Sequence, residues 1–268
     1  MPSKKPLKTA RAVHANRGIE VAYRRALQRL IADMHGSVQY WLKAAYRANP
    51  PRMAKAVELA QDAAPSERLK RILADLAKRW IAKFDEAAPR ISEAYIRGQF
   101  KATDSAFRSA LRDAGWTVDF KLTAAMRDAL NASLQENVSL IKSIPAQYLT
   151  QVEGVVMRSY TAGRDLKTMV DDLKKLYPKA ADRAVIIARD QSNKANAVVN
   201  RARSIELGLE EAIWMHSSAG KTPRPSHVKA GKDKLRYKIA EGAYIDGEYI
   251  QPGEKINCRC TSRVILPI

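Results

Sequence analysis

The sequence predicts a mainly α protein with a small α+β module at its C-terminal end. The N-terminal half is helical, and a loop-rich C-terminal unit carries short antiparallel strands packed on a long helix. Three observations lead there. Apolar residues recur at three- and four-residue spacing through most of the chain up to Leu207. Aromatic residues make up only 7% while alanine is abundant, which favours helical packing over a β-sandwich. Beyond Gly208 the periodicity shortens and turn residues accumulate.

From Ile19 to about Tyr46 the apolar face reads Ala22, Ala26, Leu30, Ile31, Met34, Val38, Trp41, Leu42 and Ala45. Asn49-Pro50-Pro51 ends it, because a residue before proline is pushed out of the α region. A second run, Met53 to Ala63, stops at Pro65, and Ser66 is the expected N-cap of a third helix carrying Leu69, Ile72, Leu73, Leu76, Trp80, Ile81 and Phe84. Pro89 is expected to break or kink the pattern before a helix capped by Gly115, and Pro145 to interrupt the helical signal that starts at Leu122. Thr161 to Asp165 reads as a turn, Leu166 to Tyr177 as a short helix, and Pro178 as a separator before the most regular helix, about Ala180 to Leu207.

That last helix has a core stripe of Val185, Ala188, Ser192, Ala195, Val199, Ala202 and Ile205. A second stripe, Arg189, Asn193, Asn196, Asn200 and Arg203, is expected to satisfy backbone groups of the following loops rather than to face phosphate. Glu211 to Ser217, Leu235 to Ile239 and Asn257 to Leu266 read as strands. Asp246-Gly247, between Tyr244-Ile245 and Tyr249-Ile250, reads as a hairpin turn. The expected organisation is a flexible basic arm over 1–17, a helical domain over 18–150 and the α+β module over 151–268.

There are 47 Lys+Arg against 28 Asp+Glu, a net charge of +19, which points to an acidic partner: nucleic acid, an anionic surface or an acidic assembly protein. With 46% hydrophobic residues the chain has too much core for intrinsic disorder. Residues 1–17 hold Lys4, Lys5, Lys8, Arg11 and Arg17 and no acid, and these five are the DNA-contact candidates. The N-terminus lacks the apolar run of a signal peptide, and no stretch reaches the length of a membrane span, so a soluble cytoplasmic product is expected.

Phosphate-loop, dinucleotide-fold, zincin, nucleophile-elbow and Cys-x-x-Cys signatures are absent. The two cysteines, Cys258 and Cys260, cannot form a disulfide scaffold. With His216 and His227 they make a mixed N/S set of the kind zinc accepts, although the spacing matches no standard site; two buried thiols beside a structural histidine are the plainer reading. His227 with Asp233, Asp246 or Asn257 offers a hydrolytic constellation with no recognisable metal or phosphate clamp. Arg224 and Arg259 either clamp phosphate or pin irregular loops.

The stretch from Ile187 to Lys232, followed by Pro252-Gly253-Glu254-Lys255-Ile256-Asn257-Cys258-Arg259-Cys260, resembles the MuF-type phage head morphogenesis (minor head, or minor capsid) family. The residues that carry the resemblance are Arg189, Asp190, Gln191, Asn196, Gly208, Trp214, Arg224, His227, Gly231, Pro252, Asn257, Cys258, Arg259 and Cys260, and it extends over about 155–266. It implies a virion structural protein rather than an enzyme, associated with the portal and the capsid interior after assembly in the host cytoplasm. Its implied partners are the portal protein, a capsid or scaffold protein and packaged double-stranded DNA bound without sequence preference, with no membrane. It implies roles in head assembly and in handling or ejecting DNA, with no catalytic residue and no cofactor. Some family members carry a toxin or nuclease domain after this module; the chain stops at Ile268, and none is expected. The alternatives are a metal-dependent nuclease or hydrolase built on His216, His227, Cys258 and Cys260, or a general nucleic-acid-binding protein.

Overall fold

The computed structural model describes residues 7–48, 65–163, 166–218, 220 and 222–267. Lys4, Lys5, the run Met53 to Ala63, the side chain of Ser66, and Arg164 and Asp165 of the expected turn lie outside the described residues. The element order is α1 (Arg17–Ala48), α2 (Pro65–Asp113), α3 (Ala124–Thr161), α4 (Leu166–Lys174), α5 (Leu176–Glu206), β1 (Glu211–Met215), α6 (Pro225–Lys232), β2 (Arg236–Lys238), β3 (Ala243–Ile245), β4 (Glu248–Ile250) and β5 (Thr261–Val264). The fold is the expected one, mainly α with short antiparallel strands at the C-terminal end.

The helix ends follow local chemistry. Asn16 caps α1, its Oδ1 accepting from the Ile19 N–H at 3.1 Å, and Thr123 caps α3, its Oγ1 accepting from the Met126 N–H at 3.2 Å. Gly115 (φ +86°) and Gly208 (φ +68°) follow α2 and α5 in the left-handed conformation that lets the trailing amides bond back to the last turn. The prolines were misleading. Pro89 and Pro145 lie inside α2 and α3, which run on through them. Pro145 sits among buried Ile141, Ile144, Tyr148 and Leu149, whose burial outweighs the loss of one backbone bond, about 3 kcal/mol. Pro178 falls in the first turn of α5, where an N–H has no intrahelical partner to lose, so it starts that helix rather than preceding it.

The chain divides into two compact units, each assembled from separated stretches. One comprises Met1–Ala22, Glu93–Gln135 and Ile186–Ile268, and the other Tyr23–Ser92 and Glu136–Val185. The sequence blocks 1–17, 18–150 and 151–268 do not coincide with them, because α2, α3 and α5 are long enough to contribute one part to each unit.

The described residues of the second unit are helical apart from turns at Ala162, Gly163 and Lys175. Its α1 face is Tyr23, Leu27, Ile31, Met34, Val38, Leu42 and Ala45, of which the last five are on the expected stripe; Trp41, also expected there, is 44% exposed, beneath the Arg79 guanidinium at 5.8 Å. The buried Tyr23 hydroxyl donates to Asn137 Oδ1 at 2.9 Å. His35 Nδ1 meets the Tyr148 hydroxyl at 2.5 Å, with the Tyr177 ring 5.0 Å away. Burial, and secondarily Lys43, hold the His35 pKa below its ordinary 6.5. The unfolded chain therefore takes up this proton first as pH falls, so the contribution is present above about 6.5 and lost below it. Urea midpoints of this unit are expected to fall on acidification through that range, and His35→Gln to flatten the slope. An unaltered slope in the variant would place the titration elsewhere.

In the first unit β2, β1 and β5 form one antiparallel sheet in that order, and β3 and β4 form a separate hairpin. Asp246 (φ +54°) and Gly247 (φ +85°) supply the two left-handed positions of its turn, as expected. The expected flexible arm is corrected here. Residues 8–13 are built into this unit: the Ala10 N–H donates to Val264 O at 3.0 Å, the Leu266 N–H donates to Lys8 O at 2.8 Å, and Thr9 bridges Ile265. Ala10 and Val13 are buried in the same core as Phe107, Leu111, Trp214, Tyr237 and Val264. Short apolar residues between the charges fill that edge, a pairing that composition alone does not reveal.

Candidate functional site

The signature residues converge where β1 ends. Trp214, fully buried, lies on the central strand with its ring edge-on to His227, centroids 5.1 Å apart. His227 hangs from α6, which Pro225 starts and which packs closely on β1 because residue 231 is glycine. A Cβ there would lie 2.4 Å from His216 Cβ and 2.9 Å from its backbone nitrogen.

The loop leading to β5 is fastened from several sides. Pro252 and Gly253 are buried, and a Cβ on Gly253 (φ +90°) would press within 3.2 Å of Asn193 O. Asn257 adopts φ +59°, and its N–H donates to Asp190 Oδ1 at 2.7 Å; Asp190 also pairs with Lys194 at 3.3 Å. Arg224 Nη2 donates to Ile256 O at 3.1 Å. Arg224 is thus a loop pin. Burial and the neighbouring Arg189 lower the Arg259 pKa, which marks positive charge gathered behind the same loop.

These fastenings bring Cys258 and Cys260 against one imidazole. His227 Nδ1 lies 3.4 Å from Cys258 Sγ and 3.7 Å from Cys260 Sγ, and the three side chains are 3%, 4% and 5% exposed. Both thiols are free. Cys258 is pulled well below the ordinary thiol range, chiefly by a hydrogen bond from Cys260, then by backbone N–H groups of Cys260 and Gly253. The same bond and burial push Cys260 up. Trp214 Nε1–H is buried without a well-aligned acceptor and lies close enough to Cys260 to favour a thiolate there.

One side of the cluster opens on a cleft of about 350 Å³ that His216, Thr222, Arg224, Asn257 and Arg259 help to line. His216 stands apart from the trio: its Nδ1 accepts from the Ser218 N–H at 3.2 Å. The four-residue metal set expected from the sequence is therefore three residues in space. Of the partners expected for His227 in a hydrolytic constellation, the two acids are engaged elsewhere. Asp233 pairs with Lys229 at 2.5 Å, Asp246 accepts from Ser226 at 2.6 Å, and His227 Nδ1 faces sulfur.

The polar stripe of α5 is buried, as the intramolecular reading expects. Asn196 Nδ2 donates to Val13 O at 2.9 Å and its Oδ1 accepts from Thr103 at 3.1 Å. Arg203 reaches Asp104, Glu206 and Lys121 O, each at 2.6 Å. These partners precede α5 or lie within it, which corrects the expectation that the stripe serves the loops after it. Ile205, placed on the core stripe, is 50% exposed because the stripe runs out at the helix end. Arg201, which no sequence pattern singled out, donates to Ile239 O and Ala240 O at 3.3 and 2.6 Å; an arginine next to a stripe of asparagines was its only signal.

Of the DNA-contact candidates that are described, Lys8 is exposed, Arg11 pairs with Asp113 at 3.0 Å and Ser109 at 3.2 Å, and Arg17 pairs with Glu20 at 2.8 Å. No helix among the described residues is long and apolar enough to cross a membrane.

Comparison with known proteins agrees with the signature. Residues 150–263 match the family model described as Phage Mu protein F like protein. This segment, which holds α4 to α6, β1 to β4 and most of β5, is similar to that family. The chain is also 38% identical over 142 residues to an uncharacterized protein of Haemophilus influenzae (strain ATCC 51907 / DSM 11121 / KW20 / Rd). That similarity covers 52% of this chain and 30% of the relative, so the chain spans less than a third of the relative's length. No solved structure matches.

Proposed function

We propose that this protein is a minor head protein of a tailed phage, docked on the portal and the capsid interior, where it acts in head assembly and in handling or ejecting packaged DNA. The observation that carries this reading is the similarity to the Phage Mu protein F like family over 150–263. Its signature residues serve as fasteners: Asp190 holds the Asn257 amide, Arg224 the Ile256 carbonyl and Asn196 the Val13 carbonyl. That use suits a structural module, and the reading assigns no catalysis to it. The protein is assembled in the host cytoplasm and ends in the virion.

The net charge of +19 supports DNA as a partner through counterion release at phosphates, without base readout. The pairing of Arg11 and Arg17 moves the free charge from the chain start to helix surfaces, where Arg25, Arg29, Lys70, Arg71 and Lys78 are exposed.

Co-purification of the full chain with the portal ring of the same phage tests the docking. DNA binding by the chain alone, over a salt series, tests the charge. Stoichiometric portal association is expected, together with duplex binding that weakens steeply with salt. DNA binding without portal association would overturn the head-protein reading in favour of a free nucleic-acid-binding protein. Metal-dependent hydrolysis of the DNA would overturn it in favour of a nuclease.

A further inference from the structure

We propose that His227 Nδ1, Cys258 Sγ and Cys260 Sγ bind one zinc ion, with a fourth coordination position open to the cleft beside them. The ligand atoms lie within 4.8 Å of one another. Tetrahedral zinc with bonds of about 2.3 Å to sulfur and 2.0–2.1 Å to nitrogen separates an S and an N ligand by about 3.6 Å. The two observed S···Nδ1 separations, 3.4 and 3.7 Å, bracket that spacing. The arrangement needs no closure to receive the ion.

The chemistry of the donor set selects the metal. Two thiolates and an imidazole suit a borderline-soft ion and disfavour magnesium or calcium, which take oxygen ligands. Two sulfurs converge on a single imidazole nitrogen, whose one lone pair cannot serve both thiols. A cation at their centre satisfies all three groups. A disulfide is a poorer solution, since residues two apart close a strained ring.

The surroundings hold the ligands in place. Trp214 walls His227, Gly231 seats α6 on β1, and the Asp190–Asn257 and Arg224–Ile256 bonds fix the loop that carries the cysteines. The ion would join α6 to the loop before β5, two segments that a sheet of three short strands ties only weakly. On the cleft side no fourth protein ligand joins the group among the described residues, and His216 stays engaged with the Ser218 amide. Water, or an anion drawn by Arg224 and Arg259, completes the coordination.

The test uses the full chain, purified reduced and without chelator. About one equivalent of zinc per chain is expected by elemental analysis. Cobalt(II) exchanged into the protein should give the intense visible bands of a tetrahedral thiolate site, and thiol modification of folded wild-type protein should release the metal. Cys258→Ser and Cys260→Ser should each lower retention at least tenfold, while His216→Ala retains it. Substoichiometric metal in a folded, reduced protein that also takes up no cobalt would overturn the site. So would stoichiometric zinc that survives thiol modification, because the ion would then sit elsewhere. Loss of zinc from His216→Ala equal to that from Cys258→Ser, with the fold intact by circular dichroism, would overturn the open fourth position. None of these outcomes depends on portal or DNA binding, so the site stands or falls apart from the head-protein reading.

Discussion

Arg203→Ala is expected to destabilise the unit that contains β1 to β5 by about 3–5 kcal/mol, the cost of removing one partner from a buried ionic network. The Arg203 side chain is 2% exposed. It donates to Asp104, Glu206 and the Lys121 carbonyl, and its guanidinium lies 4.5 Å above the Phe120 ring centre. Alanine leaves Asp104 with only the more distant Arg108, at 3.5 Å, and the Lys121 carbonyl without this donor, and it opens a void against Phe120. Arg203→Lys keeps the charge but cannot reproduce the fork, so an intermediate loss is expected. Arg11→Ala provides the contrast: that pair is more than half exposed on both sides, and about 0–1 kcal/mol is expected. Urea unfolding followed by tryptophan fluorescence reports on this unit through Trp116 and Trp214. A loss below about 1 kcal/mol for Arg203→Ala would show that water replaces its partners without cost.

Removing residues 1–13 is expected to cost stability as well as charge. The deletion takes away Ala10 and Val13 from the core and strips the hydrogen bonds at the Val264 and Val13 carbonyls and the Leu266 amide, together with those of Arg263 to Thr9 and of Arg11 to Asp113 and Ser109. It also leaves the buried Asn196 amide without its acceptor. Apolar burial and unsatisfied polar groups together amount to about 3–5 kcal/mol. A variant of the whole chain with Lys8 and Arg11 both changed to alanine separates the two contributions. It should melt within about 1 kcal/mol of wild type, since exposed charges contribute little. Equal stability of the deleted chain and the wild type would show that residues 8–13 are dispensable to the fold.

The features readable in the sequence were those determined by neighbouring residues. Asp246-Gly247 specified its turn through the left-handed conformations it tolerates, and Gly115 and Gly208 marked helix ends for the same reason. The proline signals failed because their cost is local and fixed, whereas the apolar burial that overrides it comes from distant helices. Trp41 was misplaced because its spacing fits both the core stripe and its border, and only Arg79 across the way distinguishes them. In the candidate site, His227, Cys258 and Cys260 were identifiable by type, but the exclusion of His216 depends on how Gly231 seats α6. The burial of Arg203 was hidden for a similar reason: its partner Asp104 lies 99 residues away.

The edge pairing between residues 8–10 and 264–266 also sets a clock for biosynthesis. Arg263 bonds Thr9 across a separation of 254 residues, so residues 8–10 wait for that whole stretch to be made before they can pair. At about 5–20 residues per second that wait is roughly 10–50 s. During it the first basic segment has no sheet to join, and β5 has not yet been made. A nascent chain in that interval displays, unpaired, the backbone groups of residues 8–10 that the finished protein pairs with 264–266. Any partner that captured it would have to act while translation is still under way.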